Sequence, residues 1–526
     1  MQKREMRLAS TACLLLCLLF SSCGIADRDA VSQKQGSNRS TPTVQASRRV
    51  PTPPVTPTAT RPLDPARAEA GDWPSYLLGN GNFNPYETAI TRDSAPFLQL
   101  FWSYHAKGSI SAQPVEVNDR LYIGAWDGLE RALDLNGQQL WTTDLGTTED
   151  DDCDPSGAGV AGTPTVATMS IQGKQTQVLF VGGGDGNAYA LNAANGRVIW
   201  KTPLGAPPDA FIWSSPVLYQ GSIYIGLSSF GDCPLVQGKL FRLDAATGAV
   251  QNVFATVPDG CVGGSIWGSP VVDARANTIY FATGNASDTP CPAGEPYAPA
   301  LVELRLPDLS LIDFWQVPAS QWSDDSDFGS TPTLFTATID GKLRKMVGVE
   351  NKNGIYYAFI RGELSNGPVW SDQIATSEGS MSPGAWDGNW LYIAGTNTTI
   401  DGQNCQGSLR AVDPASGNYI WERCLQDNRV LGPVTAIKGV VVVGEGRTIA
   451  VLDAVSGRPL FGYRDTHDGS YFWSAATIAH GMLYMGNMDG TLYAFGLPHT
   501  TPPGSVGTIS KGSRQQFIAC MSPQCA

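Results

Sequence analysis

The sequence predicts an all-β fold: an eight-bladed β-propeller with four antiparallel strands per blade, its ring closed by strands from both ends of the chain. Three observations lead there. A phrase of the form x-L-D-x-x-x-G-x-x-x-Trp returns along the chain: ALDLNGQQLW ends at Trp141, ALNAANGRVIW at Trp200, RLDAATGAVQNVF at Phe254, AVDPASGNYIW at Trp421 and AVLDAVSGRPLF at Phe461. A partner phrase, (S/G)-(S/T)-P-V followed by an LYIG-like run, recurs with it. The period is roughly 50 residues, and a unit of that size cannot bury both of its faces alone, so units must stack into a propeller or another closed array.

Each unit reads as four short strands. SSPVL (214–218) gives an inner strand, SIYIGL (222–227) a second, rich in aromatic and β-branched residues, and KLFRLD (239–244) a third that carries the Asp of the phrase. Asp and Gly in D-A-A-T-G suit a tight turn, because Asp bonds its own backbone two residues on and Gly takes positive φ. The aromatic after that turn opens the outer strand and can pack across to the next blade. Inner strands fall near Pro114, Pro164, Pro216, Pro270, Pro332, Pro383, Pro433 and Ala476. The outer strands number the same only if Trp102, in LQLFWSY, completes the last blade beside SAATIA, GMLYMG and TLYAFG. Such closure leaves no unpaired edge. Blade five, Pro332 to Trp370, lacks the Asp-Gly turn phrase, so its limits are the least defined.

Composition agrees. The 526 residues hold 58 Gly and 36 Pro with 16% charged residues, a balance of many turns and few exposed helices. The formal charge of −13 argues against nucleic acid or an anionic membrane surface as a partner.

Residues 1–23 read as a targeting segment: Lys3, Arg4 and Arg7, then an apolar run too short to span a bilayer, then Ser21 and Ser22 before Cys23. Ser-Ser-Cys after such a run resembles a bacterial lipobox, which implies lipidation of Cys23, export, and anchoring on the outer face of the cytoplasmic membrane or in the cell envelope. The competing reading is an ordinary secretory signal. Residues 24–70, rich in Ser, Thr and Pro, read as an unstructured tether; 71–498 hold the propeller and 499–526 a tail. Beyond Cys23 eight cysteines remain, an even number that in an exported chain points to disulfides. Cys405 with Cys424 is the first expected bridge and Cys520 with Cys525 the second. No C-x-x-C-H occurs, so covalent c-type haem is not expected.

In a four-stranded blade, the loop entering the inner strand and the loop joining strands two and three lie on one face of the disc. These loops carry Asp232, Trp267, Asn285, Asp325, Asp327 and Lys352, from neighbouring blades three to five. Carboxylates and an amide oxygen gathered there suit Ca²⁺; the Lys suits an anion and the Trp a flat ligand. Taken singly, Asn285 and Asp232 read better as turn residues bonding the local backbone than as ligands; it is their convergence with Trp267 and Lys352 that points to a site.

The repeat phrase and these loops resemble the pyrroloquinoline quinone (PQQ) dehydrogenases, the polyvinyl alcohol dehydrogenase-like members above all. The resemblance spans most of 72–497 and is strongest in WGSPVVDARANTIYFATGNASD, SDFGSTPTLF and KMVGVENKNGIYYAF. It implies PQQ lying on Trp267 with Lys352 at its oxygens, Ca²⁺ held by Asp232, Asn285 and Asp327, and Asp327 as catalytic base, with Asp325 the neighbouring candidate. Asp232 stands where the family usually has Glu. The implied reaction is oxidation of an alcohol or polyol: Asp327 takes the hydroxyl proton, hydride passes to quinone C5, Ca²⁺ acts as Lewis acid, and electrons leave to a separate acceptor. The adjacent-cysteine disulfide that covers the quinone in the family has no counterpart, since no Cys-Cys pair exists; a bridge among Cys153, Cys233 and Cys261 would be the substitute. The alternative is a non-catalytic propeller lipoprotein that serves as an envelope protein-assembly or ligand-binding scaffold, because one fold hosts many functions.

Overall fold

The computed structural model describes residues 71–498 except positions 80, 288, 290, 323, 324, 326, 377 and 378. The targeting segment with Cys23, the tether, the tail and the Cys520–Cys525 pairing lie outside the described residues. Among the described residues, the strands form eight blades of four antiparallel strands, one per repeat unit; Ala210–Phe211 and Phe83–Asn84 each add a short fifth strand to one blade, and Thr148–Glu149 with Gly157–Ala158 make a separate two-stranded ribbon. Blade 1 consists of Val115–Glu116, Arg120–Gly124, Leu129–Asp134 and Gln139–Asp144; blade 8 consists of Thr477–Ala479, Met482–Gly486 and Thr491–Gly496, completed by Gln99–His105. The closing register sets Trp102 opposite Ala494, as the tally of outer aromatics requires. Blade five comes out as Thr333–Ile339, Lys342–Glu350, Ile355–Ile360 and Trp370–Gln373.

The two repeat phrases mark the two contacts that join blades. In the first, the outer-strand Trp of one blade lies against the turn glycine of the next. Trp102 meets Gly137, Trp141 meets Gly196, Trp200 meets Gly248, Trp370 meets Gly417 and Trp421 meets Gly457. Each of these glycines has φ between +67° and +80°, and a Cβ on it would sit 2.6–2.7 Å from the indole. Gly is therefore required twice over, for the left-handed backbone and for the space. Each indole N–H then donates to a backbone carbonyl of that same turn at 2.9–3.0 Å, so the large apolar ring is buried with its one polar atom satisfied.

The second contact runs round the inner strands. Before four of the inner-strand prolines stands a residue whose hydroxyl accepts from the backbone N–H of its counterpart one blade earlier: Thr163 from Gln113, Ser215 from Thr163, Ser269 from Ser215 and Thr331 from Ser269, at 2.7–3.0 Å. Proline cannot donate at the following position, so the small hydroxyl residue becomes the fixed connector. Between these seams the blades pack face to face. Val115, Tyr122 and Trp141 of blade 1 share one apolar cluster with Val166, Leu179 and Leu191 of blade 2, and all eight residues of Ser222–Ser229 are buried.

The chain preceding Gln99 crosses the axial channel. Trp73 pairs antiparallel with Glu116 of blade 1, the Pro74 carbonyl accepts from Val166 of blade 2, and Phe83–Asn84 pair parallel with the inner strand of blade 7. His480, in the turn between strands one and two of blade 8, fastens this segment: its Nδ1 lies 2.7 Å from Glu116 Oε1 and its Nε2 3.7 Å from Asp72 Oδ1. The hydrogen bond to Glu116 holds the imidazole pKa up at about 9. A group raised in the folded state stabilises fully below its unfolded pKa, here about 6.5, and loses that contribution as pH climbs through the folded value. The protein is thus expected to lose about 1 kcal/mol between pH 6.5 and 9.5, the figure being kept small by solvent screening at a partly exposed side chain. Denaturant titrations of wild type and His480→Gln at both pH values check this; an equal pH dependence in the two proteins would refute it.

Candidate functional site

Loops on the opposite face from the His480 turn carry the residues singled out above. Asp232 lies between Ser222–Ser229 and Lys239–Asp244, Trp267 just ahead of Val271–Asp273, and Asn285 after Thr278–Ala282. Asp325 and Asp327 lie ahead of Thr333–Ile339, and Lys352 follows Lys342–Glu350. The fold brings all six into one network. Asn285 Nδ2 donates to Asp232 Oδ2 at 3.2 Å and to Asp325 Oδ1 at 3.1 Å. Lys352 Nζ lies 2.9 Å from Asp325 Oδ1 and 2.7 Å from Asp327 Oδ1. Trp267 Nε1 donates to Asp327 Oδ2 at 2.8 Å, and the Lys352 ammonium stands 4.8 Å from the indole centre.

The two neighbouring aspartates differ in environment. Asp327 is 2% exposed, and burial raises its pKa to about 6, against the pull of Lys352. Asp325 has a side chain 44% exposed, and although burial acts upward on it, Lys352 and Asn285 outweigh this and hold it below the usual carboxylate range. Lys352 is pushed upward and stays charged: its partial burial opposes this, and the two carboxylates prevail. One acid is thereby suited to take up a proton near neutrality, and the other is held as an anion.

The donor set fits a hard cation beside a flat anion. Three carboxylates face one ammonium, leaving a formal charge of −2 when all are ionised. Asn285 sits between two of these carboxylates and presents its Oδ1 to a cation if the amide turns over. Their oxygens are bridged by Asn285 and Lys352 and do not meet at one point. Among the described residues, the one group of three His, Cys, Asp or Glu ligand atoms within 4.8 Å of one another is Asp465, His467 and Asp489, around blades 7 and 8. There Asp465 is already engaged by Tyr493, Asn487 and His467.

Sequence reasoning missed several supports. A Cβ on Gly329 would lie 2.2 Å from the Trp267 ring, so the Gly of SDFGSTP makes room for the indole. Cys405–Cys424 forms as expected, within blade six. Two further bridges fasten site loops: Cys153–Cys233, one of the pairs left open among Cys153, Cys233 and Cys261, holds the residue after Asp232, and Cys261–Cys291, which the sequence did not point to, ties the loop before Trp267 to the loop of Asn285. The same two loops exchange Gly264 N–H to the Asn285 carbonyl at 2.8 Å and Gly284 N–H to the Ser265 carbonyl at 2.7 Å.

A closed wheel of PQQ-type repeats with one loop cluster at its mouth defines the class, and comparison with known proteins agrees. A family model of such repeats, described as "Outer membrane protein assembly factor BamB", matches residues 99–226 and 362–497. The chain belongs to this PQQ-repeat family, as a propeller of the PQQ-dependent dehydrogenase-like kind. It is similar to a polyvinylalcohol dehydrogenase of Pseudomonas sp, 24% identical over 80% of this chain and 72% of that protein. It is also similar to a quinohemoprotein alcohol dehydrogenase of Comamonas testosteroni, 27% identical over 50% of this chain but only 41% of that relative. The crystal structure of the quinohemoprotein alcohol dehydrogenase from Comamonas testosteroni superposes with a TM-score of 0.65 at 19% identity, covering 86% of this chain and 84% of that one, a likeness of fold.

Proposed function

We propose that the protein is an exported, lipid-anchored PQQ- and Ca²⁺-dependent dehydrogenase that oxidises an alcohol or polyol and passes electrons to a separate acceptor. The observation that carries this reading is the pairing of a buried Asp327, its pKa raised to about 6, with Trp267 and Lys352 in a network that also holds Asn285 and Asp232. Three disulfides suit an oxidising compartment. Trp267 offers the face on which a planar quinone would rest, and Lys352 the cation for its anionic edge. Asp232, Asn285 and Asp327 would hold the metal with oxygen donors. When bound, the metal and the quinone supply a Lewis acid and a two-electron acceptor. One carboxylate oxygen of Asp327 accepts the substrate's hydroxyl proton, and the Trp267 N–H at Oδ2 and the Lys352 ammonium at Oδ1 hold that carboxylate in place. Asp325, ionised throughout, keeps Lys352 charged.

Reconstitution with PQQ and Ca²⁺ tests the reading. Saturable quenching of tryptophan fluorescence by micromolar PQQ is expected, together with dye reduction by alcohols, and Asn285→Ala or Trp267→Ala should weaken quinone binding by about tenfold or more, the order seen when a metal or stacking contact is removed. The family model's description as an assembly factor favours one other reading, a protein-assembly scaffold. Absence of quinone binding at micromolar concentration would select it.

A further inference from the structure

Asp232 has a left-handed backbone, φ +59°, in a stretch where Gly231 precedes it and Cys233 follows. Non-glycine residues in that region carry a conformational cost, and they persist only where their surroundings hold them. Three features of this loop supply the hold. Cys233 is bridged to Cys153, which lies in the long connection between blades 1 and 2. Behind the bridge, Cys153 packs with Phe211, Phe230, Ala158 and Ala161 as a small buried cluster, with the Trp213 ring stacked on Phe230. Farther along, Val236 N–H donates to Ser229 Oγ at 2.9 Å and Gly238 N–H to the Gly263 carbonyl at 3.0 Å. Just ahead of the bridge, within the stretch that the Val236–Ser229 bond closes, the Asp232 carboxylate accepts from Asn285 Nδ2, 3.2 Å away.

We infer that the Cys153–Cys233 disulfide is a positioning element for the Asp232 carboxylate, and hence that the affinity of the site for a divalent cation depends on the redox state of this one bridge. The inference rests on the dehydrogenase reading above only in taking Asp232 as a metal ligand. Asp232 has one methylene less than Glu, so its reach depends more on where its backbone is held. Reduction adds two electrons and two protons from a dithiol, yields two thiols, and frees the 230–234 loop to leave the left-handed conformation. The blade strands on either side keep their ladders, so the wheel stays intact while the ligand moves. The Cys405–Cys424 bridge within blade six supplies the internal control, since it touches none of the site loops.

Sensitised Tb³⁺ luminescence, with displacement by Ca²⁺, measures the site in the full chain without turnover. Compared with wild type, Cys153→Ser/Cys233→Ser is expected to bind Tb³⁺ and Ca²⁺ about 10- to 100-fold more weakly, the effect common for groups that orient a metal ligand. Cys405→Ser/Cys424→Ser is expected to match wild type in affinity although it also loses a bridge. Should the first variant fail to fold, hydrogen exchange on wild type before and after mild dithiol treatment gives the same answer: amides of 229–238 exchange faster while those of Ile223–Ile225 remain protected. Affinity within twofold of wild type in Cys153→Ser/Cys233→Ser, or exchange that rises equally in loop and strands, overturns the inference. A wild-type protein that binds Ca²⁺ but not PQQ sinks the quinone reading and leaves this one standing; one that binds no divalent cation sinks both.

Discussion

Asp327→Asn is expected to lower kcat of the reconstituted protein by about 10²- to 10⁴-fold, the range for loss of a general base, while PQQ binding stays within a few-fold of wild type. The amide keeps an oxygen for the Trp267 N–H, which now lies 2.8 Å from the carboxylate, and so preserves the scaffold of the site. What it loses is the capacity to accept a proton. Asp325→Asn should behave differently: its carboxylate is held ionised below the usual range, a poor proton acceptor near neutrality, and its removal relaxes Lys352. We expect it to raise the PQQ dissociation constant more than it lowers kcat. Steady-state kinetics with dye reduction, set beside fluorescence titration of PQQ, separates the two. If Asp325→Asn abolished turnover and Asp327→Asn spared it, the roles would be reversed.

Trp141→Ala should be among the most destabilising single changes in the wheel, costing about 3–5 kcal/mol as a large buried ring is deleted and a cavity left between blades. The ring lies between blades 1 and 2, packed against Gly196, and its N–H to the Ala193 carbonyl at 3.0 Å leaves that carbonyl unpaired when lost. Gly196→Ala approaches the same seam from the other side. Its Cβ would fall 2.6 Å from the indole at φ +73°, so the two blades must separate or the turn must rebuild, at a cost of about 1–3 kcal/mol. Guanidinium titrations followed by circular dichroism measure both. A cost below 1 kcal/mol for Trp141→Ala would show that the repeat aromatics do not carry the contact between blades.

The wheel was legible in the sequence because its joints repeat. A ring of similar units needs the same contact at each boundary, so the residues that make it recur at a fixed period: Trp and Gly at the outer seam, hydroxyl and Pro at the inner. Blade five was hard to bound because its outer-strand partner is built differently. Trp315 of blade 4 meets Tyr357 and Phe359 there, ring on ring at 4.8 and 5.1 Å, and no glycine turn is needed to receive it. The chain crossing the channel was also illegible. Its pairing of Trp73 with Glu116 and of Phe83–Asn84 with blade 7 uses backbone groups, which any sequence possesses.

For the site, the sequence by itself determined which face of the wheel each loop occupies, because alternation of strands leaves no choice in that, and so it placed Asp232, Trp267, Asn285, Asp325, Asp327 and Lys352 on a common mouth. Tertiary structure alone decided the rest. It buried Asp327 and left the Asp325 side chain part-exposed, since the depth of each carboxylate and the reach of Lys352 are set by packing across three blades. It chose Cys153 for Cys233 and Cys261 for Cys291, because a cysteine's partner is whichever sulfur the fold brings near, and spacing along the chain does not encode that distance.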